Sequence, residues 1–227
     1  MITLSQIVKN KNKDGEKIVV LDHINLTITQ GEFISIVGFN KCGKTSLIQI
    51  IAMLDRDYYG NYQFEGESLE GLSEPDFQQF RIKNIGLVFK NYNLIDYFTI
   101  CENIMLPYKF VNGNQNNISE KAAELCYRFK INHKKNHFTS KVSKLIKAKT
   151  AIAQSLIMNP RILLADDIFN GLSPDESRSL IDLLAELNDE GLTVILTSEN
   201  LQDANLFHRK IFINDGKVFT DYPFDQS

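Results

Sequence analysis

Two short segments carry residue types at spacings suited to phosphate and metal chemistry. Gly38-Phe39-Asn40-Lys41-Cys42-Gly43-Lys44-Thr45 fits the pattern G-x-x-x-x-G-K-[ST], with an apolar run from Phe33 to Val37 before it and a helical pattern from Ser46 to Leu54 after it. In that setting successive backbone N–H groups and a helix N-terminus would wrap phosphates. Lys44 would reach the β and γ oxygens, Thr45 would hold Mg²⁺, and Gly38, Asn40, Lys41, Cys42, Gly43 and Ser46 would complete the cradle. The competing reading is a glycine-containing left-handed turn that merely starts a helix. Further on, Ile162-Leu163-Leu164-Ala165-Asp166-Asp167 is an apolar strand ending in two carboxylates. Such a strand brings Asp166 to the magnesium and turns the next residue, Asp167, toward the water at the γ-phosphate. Each segment alone is ambiguous; the pair predicts a nucleotide site.

The elements that must position these groups can be read from periodicity. Apolar or alternating runs predict strands at Ile18–Leu21, Leu26–Thr29, Phe33–Val37, Tyr62–Phe64, Ile85–Phe89, Ile162–Ala165, Val194–Thr197 and Ile211–Ile213. Asn214-Asp215-Gly216 followed by Lys217-Val218-Phe219 predicts a hairpin. Ser173-Pro174-Asp175-Glu176 ahead of Leu180, Ile181, Leu183, Leu184 and Leu187 predicts a helix with a capping box. A strand-rich early part and a later alternation of strand and helix imply a parallel α/β core with an antiparallel β edge. The stretch between Phe89 and Arg161 reads as a helical insertion, with an amphipathic segment from Ser119 to Lys130 and a polar loop over 111–117.

Composition bounds the possibilities. With 227 residues, 43% of them hydrophobic, the chain can bury a sizeable core, and a net charge of −3 gives no reason to expect nucleic acid. No apolar stretch reaches the roughly 18–20 residues of a membrane span, so a soluble intracellular protein is expected, with any membrane role reached through a partner. Cys42, Cys101 and Cys126 are odd in number and lack metal-ligand spacing, which suggests reduced thiols. At the helix N-terminus, Cys42 is either a thiol with thiolate character or a small residue filling space. From Arg128 to Lys149 there are eight Lys or Arg and no Asp or Glu. That run reads as a solvated helical face or as a surface facing anionic lipid or an acidic partner.

Taken with Gly60-Asn61-Tyr62, Ile85-Gly86-Leu87-Val88-Phe89, Glu102-Asn103-Ile104, Asn159-Pro160, Gly191-Leu192-Thr193-Val194 and Asp215-Gly216-Lys217-Val218, the two segments give the chain a resemblance that runs nearly end to end. It resembles the ATP-binding subunits of ABC transporters, in the MacB/LolD-type branch that works with FtsX-like permeases. The resemblance implies a P-loop NTPase with a RecA-like core, an antiparallel β subdomain and a helical subdomain over approximately 90–155, all within one cassette spanning 1–227. It implies ATP and Mg²⁺ as ligands, a head-to-tail dimer with a second copy or a different ATP-binding subunit, and a place on the inner face of the membrane beside a permease. The groove for that permease would involve 92–110, including Leu94, Ile95, Tyr97, Phe98, Pro107 and Tyr108, whereas Ile100 and Leu106 are expected to pack inside.

Several family positions hold other residues here. The adenine-stacking aromatic aligns with Lys11, a phosphate-loop glycine with Lys41, and the Q-loop glutamine with Lys90. The signature Leu-Ser-Gly-Gly-Gln aligns with Val142-Ser143-Lys144-Leu145-Ile146, keeping only Ser143. The catalytic glutamate becomes Asp167, the D-loop aspartate Ser173 and the switch histidine Ser198; His23, His133, His137 and His208 are out of register for the last. A carboxylate one methylene shorter places a base about 1 Å away from its mark, which can cost on the order of 100-fold. The retained set, Lys44, Thr45 and Asp166, binds phosphate and metal; the altered set senses and cleaves. Lys90 either substitutes for metal charge, with Lys41 and Lys144 adding to its field, or is simply solvated. The expectation is a subunit that binds ATP and hydrolyses it weakly. The alternatives are a nucleotide-independent scaffold beside a competent ATPase, or an ordinary active ATPase.

Overall fold

The computed structural model describes residues 1–13, 15–69, 71–111, 117–199 and 207–223; most of the polar loop expected over 111–117 lies outside them. Two sheets organise the chain. The first is antiparallel, in the order β2-β1-β4-β5, from β1 (Ile2–Lys13), β2 (Glu16–Ile28), β4 (Tyr59–Phe64) and β5 (Glu67–Ser68). The second has six strands in the order β10-β9-β3-β8-β7-β6: β3 (Phe33–Val37), β6 (Ile85–Val88), β7 (Ile162–Asp166), β8 (Thr193–Ser198), β9 (Arg209–Asn214) and β10 (Lys217–Pro223). All its neighbours run parallel except β10, which pairs antiparallel with β9 at the edge.

Strands β3, β7 and β8 are buried from end to end, as a parallel sheet covered on both faces requires. Their alternation sorts side chains into two cores. Ile34, Ile36, Leu164 and Ile195 face a core shared with the antiparallel sheet and helix α1 (Lys44–Ile51). Phe33, Leu163, Ala165, Val194 and Leu196 face the opposite core, closed by α3 (Ile100–Phe110), α4 (Ile118–Arg128), α5 (Lys144–Leu156) and α6 (Pro174–Asp189). Ile100 is fully buried in that second core.

Helix starts follow the cap chemistry. The Ser173 hydroxyl accepts from the Glu176 N–H at 3.2 Å, and the Ser173 N–H donates to the Glu176 carboxylate at 2.9 Å, the reciprocal box expected for α6. Thr99 and Glu102 make the same box at α3. The C-terminal hairpin turns through Asp215 (φ 45°) and Gly216 (φ 73°), both left-handed, as a two-residue turn of this twist demands.

Three features differ from the expected elements. The two runs at Ile18–Leu21 and Leu26–Thr29 belong to one strand, β2, kinked where His23 takes φ 52° opposite a register shift in β1. Strand β1, which those runs pair with, was not among the strands expected. Helix α2 (Glu74–Asn84) was also not expected, because only Phe77 and Asn84 of its eleven residues are buried and no apolar stripe announces it.

Candidate functional site

The parallel register brings the chemistry together. Val37 of β3 lies beside Ser198 of β8, Asp166 of β7 beside Thr197, and Val88 of β6 beside Ala165. The strand ends therefore open on one edge of the sheet, where a groove is lined by Lys11, Val20, Asn40, Lys41, Gly43, Lys44, Thr45, Ser46, Lys90, Asp166, Asp167 and Glu199.

The loop after β3 folds tightly over itself. Lys41 takes φ 65° and Gly43 φ 107°, so the lysine carries the roughly 1–2 kcal/mol left-handed penalty that a glycine would avoid. Gly43 has no room for a side chain, since a Cβ there would lie 2.8 Å from the Val20 carbonyl oxygen. The hairpin between β9 and β10 braces the loop: the Gly216 N–H donates to the Cys42 carbonyl at 3.0 Å, and the Asp22 N–H donates to the Gly216 carbonyl at 2.8 Å. Lys44 opens α1, is 7% exposed, and donates to the carbonyls of Gly38 at 2.5 Å and Phe39 at 2.9 Å. Its ammonium is thus held by two of the loop's own carbonyls.

Asp166 supplies the metal-type oxygen. Its Oδ1 accepts from the Thr197 hydroxyl at 2.6 Å and stands 3.4 Å from the Thr45 hydroxyl. A carboxylate and a hydroxyl converging in this way are hard oxygen donors of the kind Mg²⁺ takes, so Thr45 and Asp166 fit that ion.

The next carboxylate is already engaged. Asp167, at φ 50° with its N–H donating to the Thr197 hydroxyl at 2.9 Å, places Oδ2 2.5 Å from the Lys90 ammonium. Bonding to Asp167 and its charge push the Lys90 amine above the usual lysine range, with Glu199 and Asp166 adding to the effect. A second link fixes the pair: buried Tyr92 donates its hydroxyl to the Ile168 carbonyl at 2.8 Å, one residue past Asp167. Burial pushes the Tyr92 phenol up to about 12, with the charges of Glu176 and Asp167 adding, so it stays a donor.

Of the residues expected from sequence, Asn40, Lys41, Gly43, Lys44, Thr45, Ser46, Lys90, Asp166 and Asp167 line the groove, and so does Lys11. Gly38 contributes its carbonyl to Lys44. Cys42 is 6% exposed, and its Sγ occupies the space where a Cβ on Gly38 would fall, 2.5 Å away, which is the space-filling role and leaves little thiol to react. Ser143 caps α5 by accepting from the Ile146 N–H at 3.4 Å, outside this groove. Lys144 also lies outside the groove lining, its Nζ 2.7 Å from where a Cβ on Gly171 would sit. Ser198 is 6% exposed at the end of β8 and does not line the groove. Its neighbour Glu199 does, accepting from the Asn40 amide at 3.0 Å and lying 3.9 Å from Lys90. Sequence reasoning missed Glu199; alternation along β8, with buried Thr197 bonded to Asp166, was the signal for it.

Comparison with known proteins agrees with this geometry. The ABC transporter family matches residues 21–170. The lipoprotein-releasing system ATP-binding protein LolD of Syntrophus aciditrophicus is 32% identical over 221 residues, covering 97% of this chain and 99% of that protein. The methionine import ATP-binding protein MetN of Haemophilus ducreyi is 31% identical over 220 residues; the match covers 96% of this chain but spans only 64% of MetN. The dimeric post-hydrolysis structure of the ATP-binding cassette MJ0796, bound to ADP and Pi, superposes with a TM-score of 0.91 at 29% identity, covering 100% of both chains. With its α/β P-loop fold and its phosphate loop in place, the chain belongs to the ABC transporter family as an ATP-binding cassette.

Proposed function

We propose that this chain is the ATP-binding subunit of a membrane transporter, that it holds ATP with Mg²⁺, and that it hydrolyses ATP only slowly by itself. Lys44 and the N–H groups at the start of α1 would hold the β and γ phosphates. Thr45 and Asp166 would hold Mg²⁺, which when bound neutralises phosphate charge.

The observation that carries slow hydrolysis is the ion pair between Lys90 and Asp167 at 2.5 Å. A general base must accept a proton from an attacking water, a contribution of about 10²–10⁴-fold. Asp167 aligns with the family's catalytic glutamate, yet its Oδ2 is held by the Lys90 ammonium and must be released before it can serve a water. Glu199 lines the groove next to the buried Ser198 and adds an acceptor rather than an imidazole.

Transport would come through partners. Among the described residues no helix is long and apolar enough to cross a membrane; the membrane-spanning part would be supplied by a permease, in this reading of the FtsX-like kind. The surface offered to it is the segment from 92 to 110, where Tyr97 is 75% exposed and packs edge-on against Phe98. The subunit would act at the cytoplasmic face, paired with a second copy or with a different ATP-binding subunit.

Isothermal titration of ATP into wild type and Lys44→Ala tests the reading. Binding by wild type that Lys44→Ala abolishes supports it; silence from both proteins overturns it and leaves a nucleotide-independent scaffold.

A further inference from the structure

We propose that Cys101 and Cys126 form a peroxide-reactive thiol pair between α3 and α4, in which Cys101 is oxidised first and Cys126 then closes a disulfide onto it. The pair stands apart from the nucleotide groove, which neither cysteine lines.

Of the chain's three cysteines, two meet. Cys42 sits in the phosphate loop, where its Sγ fills the space beside Gly38. Cys101 is the second residue of α3 and Cys126 lies in the last turn of α4, and their side chains hydrogen-bond one another across the two helices. Sulfurs brought together on neighbouring elements are the starting geometry for a disulfide.

The two positions are not equivalent. Cys126 is fully buried in the core that α3, α4, α5 and α6 close, whereas Cys101 is half-buried at the edge of that core. Peroxide therefore reaches Cys101. The start of α3, fixed by the Thr99–Glu102 box, points its first N–H groups away from the helix, and the Cys101 N–H donates to the Lys135 carbonyl at 3.0 Å. A helix N-terminus favours negative charge, and the thiolate is the form that attacks. Bonding from the Cys126 thiol, then the Lys135 charge, hold the Cys101 thiol below its usual range against burial and the Glu102 carboxylate. The same bond, with burial after it, pushes the Cys126 thiol up, so Cys126 keeps its proton while Cys101 is the nucleophile.

The steps balance with hydrogen peroxide as the oxidant. The Cys101 thiolate attacks one peroxide oxygen, the O–O bond breaks, and the departing hydroxide takes a proton from solvent to leave as water. Cys101 is then a neutral sulfenic acid, and the bond that kept the proton on Cys126 is gone. The Cys126 sulfur attacks the Cys101 sulfur; its proton goes to the departing hydroxide, which leaves as a second water. Two electrons pass from the thiol pair to the peroxide, and a thiol reductant reverses the change.

The disulfide would act on the helical side of the molecule. Two residues past Cys101, fully buried Asn103 accepts from the Ile95 N–H at 2.8 Å and donates to the carbonyls of Ile95 at 3.1 Å and Phe98 at 3.3 Å. The start of α3 and the segment carrying Tyr97 and Phe98 are thus one unit, and a bond at Cys101 fastens α4 to it.

The test is peptide mapping by mass spectrometry of the full chain, purified reduced, treated with hydrogen peroxide at neutral pH and quenched by alkylation. Wild type should lose two hydrogens and give a Cys101–Cys126 cross-linked peptide that dithiothreitol removes, while its circular dichroism stays native. Cys101 should be consumed at least about tenfold faster than Cys42. Cys126→Ala should stop at a sulfenic acid on Cys101 that dimedone traps, and Cys101→Ala should leave Cys126 unoxidised. A core substitution can unfold the chain, so the wild-type map decides if either variant is not folded. The proposal fails if folded wild type forms no Cys101–Cys126 peptide, or if Cys42 is oxidised as fast as Cys101.

Discussion

Replacing Lys90 by glutamine should make bound ATP break down faster. Lys90 Nζ lies 2.5 Å from Asp167 Oδ2, with the lysine side chain 45% exposed and the aspartate 15% exposed. Solvent screens a pair of that exposure to the surface range, at most about 1 kcal/mol. Freeing the carboxylate by that amount raises its availability to a water about fivefold, since tenfold corresponds to about 1.4 kcal/mol. The shorter reach of Asp167 keeps the gain from approaching the full worth of a general base. Asp167→Asn alone should slow the reaction, because a pair worth about 1 kcal/mol leaves roughly a fifth of the carboxylate's availability in wild type. Lys90→Gln combined with Asp167→Asn should lose the whole gain. Single-turnover release of phosphate from labelled ATP, with protein in excess, measures all four proteins on one scale. The reasoning is refuted if Lys90→Gln is no faster than wild type, or if the double variant keeps the acceleration.

Three further outcomes follow from the geometry. Gly43→Ala places a Cβ 2.8 Å from the Val20 oxygen and 2.9 Å from the Leu21 Cδ2 at φ 107°; strain and overpacking together should lower unfolding free energy by roughly 2–4 kcal/mol, read from the urea midpoint. Thr197→Val removes the hydroxyl that donates to Asp166 at 2.6 Å and accepts from the Asp167 N–H at 2.9 Å; at this fully buried position the loss should be about 1–3 kcal/mol, with a higher Mg²⁺ concentration needed for half-maximal ATP binding. Burial holds the Tyr92 phenol at about 12 against an ordinary 10.0, so its contribution is complete below pH 10 and disappears as pH rises through 12. Between those values wild type should lose stability more steeply than Tyr92→Phe, as denaturant titrations at matched ionic strength would record.

The parts of this site that were legible in the sequence are those made by local pattern. Four apolar residues among the five before the glycine-rich loop give β3, and the Ser173 to Glu176 spacing gives the cap of α6, because each signal and its structural consequence lie within one turn or strand. What stayed hidden depends on distant register. Lys90 and Asp167 meet because β6 and β7 pair in parallel with Val88 beside Ala165, so the residues two positions further on, just past the end of each strand, come together. No property of Lys90 alone announces that partner. Ser198 and Glu199 differ by one residue, and in a strand one residue exchanges the two faces; only the Thr197–Asp166 hydrogen bond shows which side faces the groove. Strand β2 reads as two separate runs because the left-handed residue His23 interrupts the alternation without ending the strand.

The central claim is that this cassette holds ATP and is slow to cleave it. The most direct measurement follows a single sample of the purified chain with labelled ATP and Mg²⁺, counting nucleotide bound and phosphate released together. The account predicts Lys44-dependent binding with turnover far below 1 s⁻¹, the lower end of the usual enzyme range. Turnover near 1 s⁻¹ or faster from wild-type protein, abolished by Lys44→Ala, would contradict it.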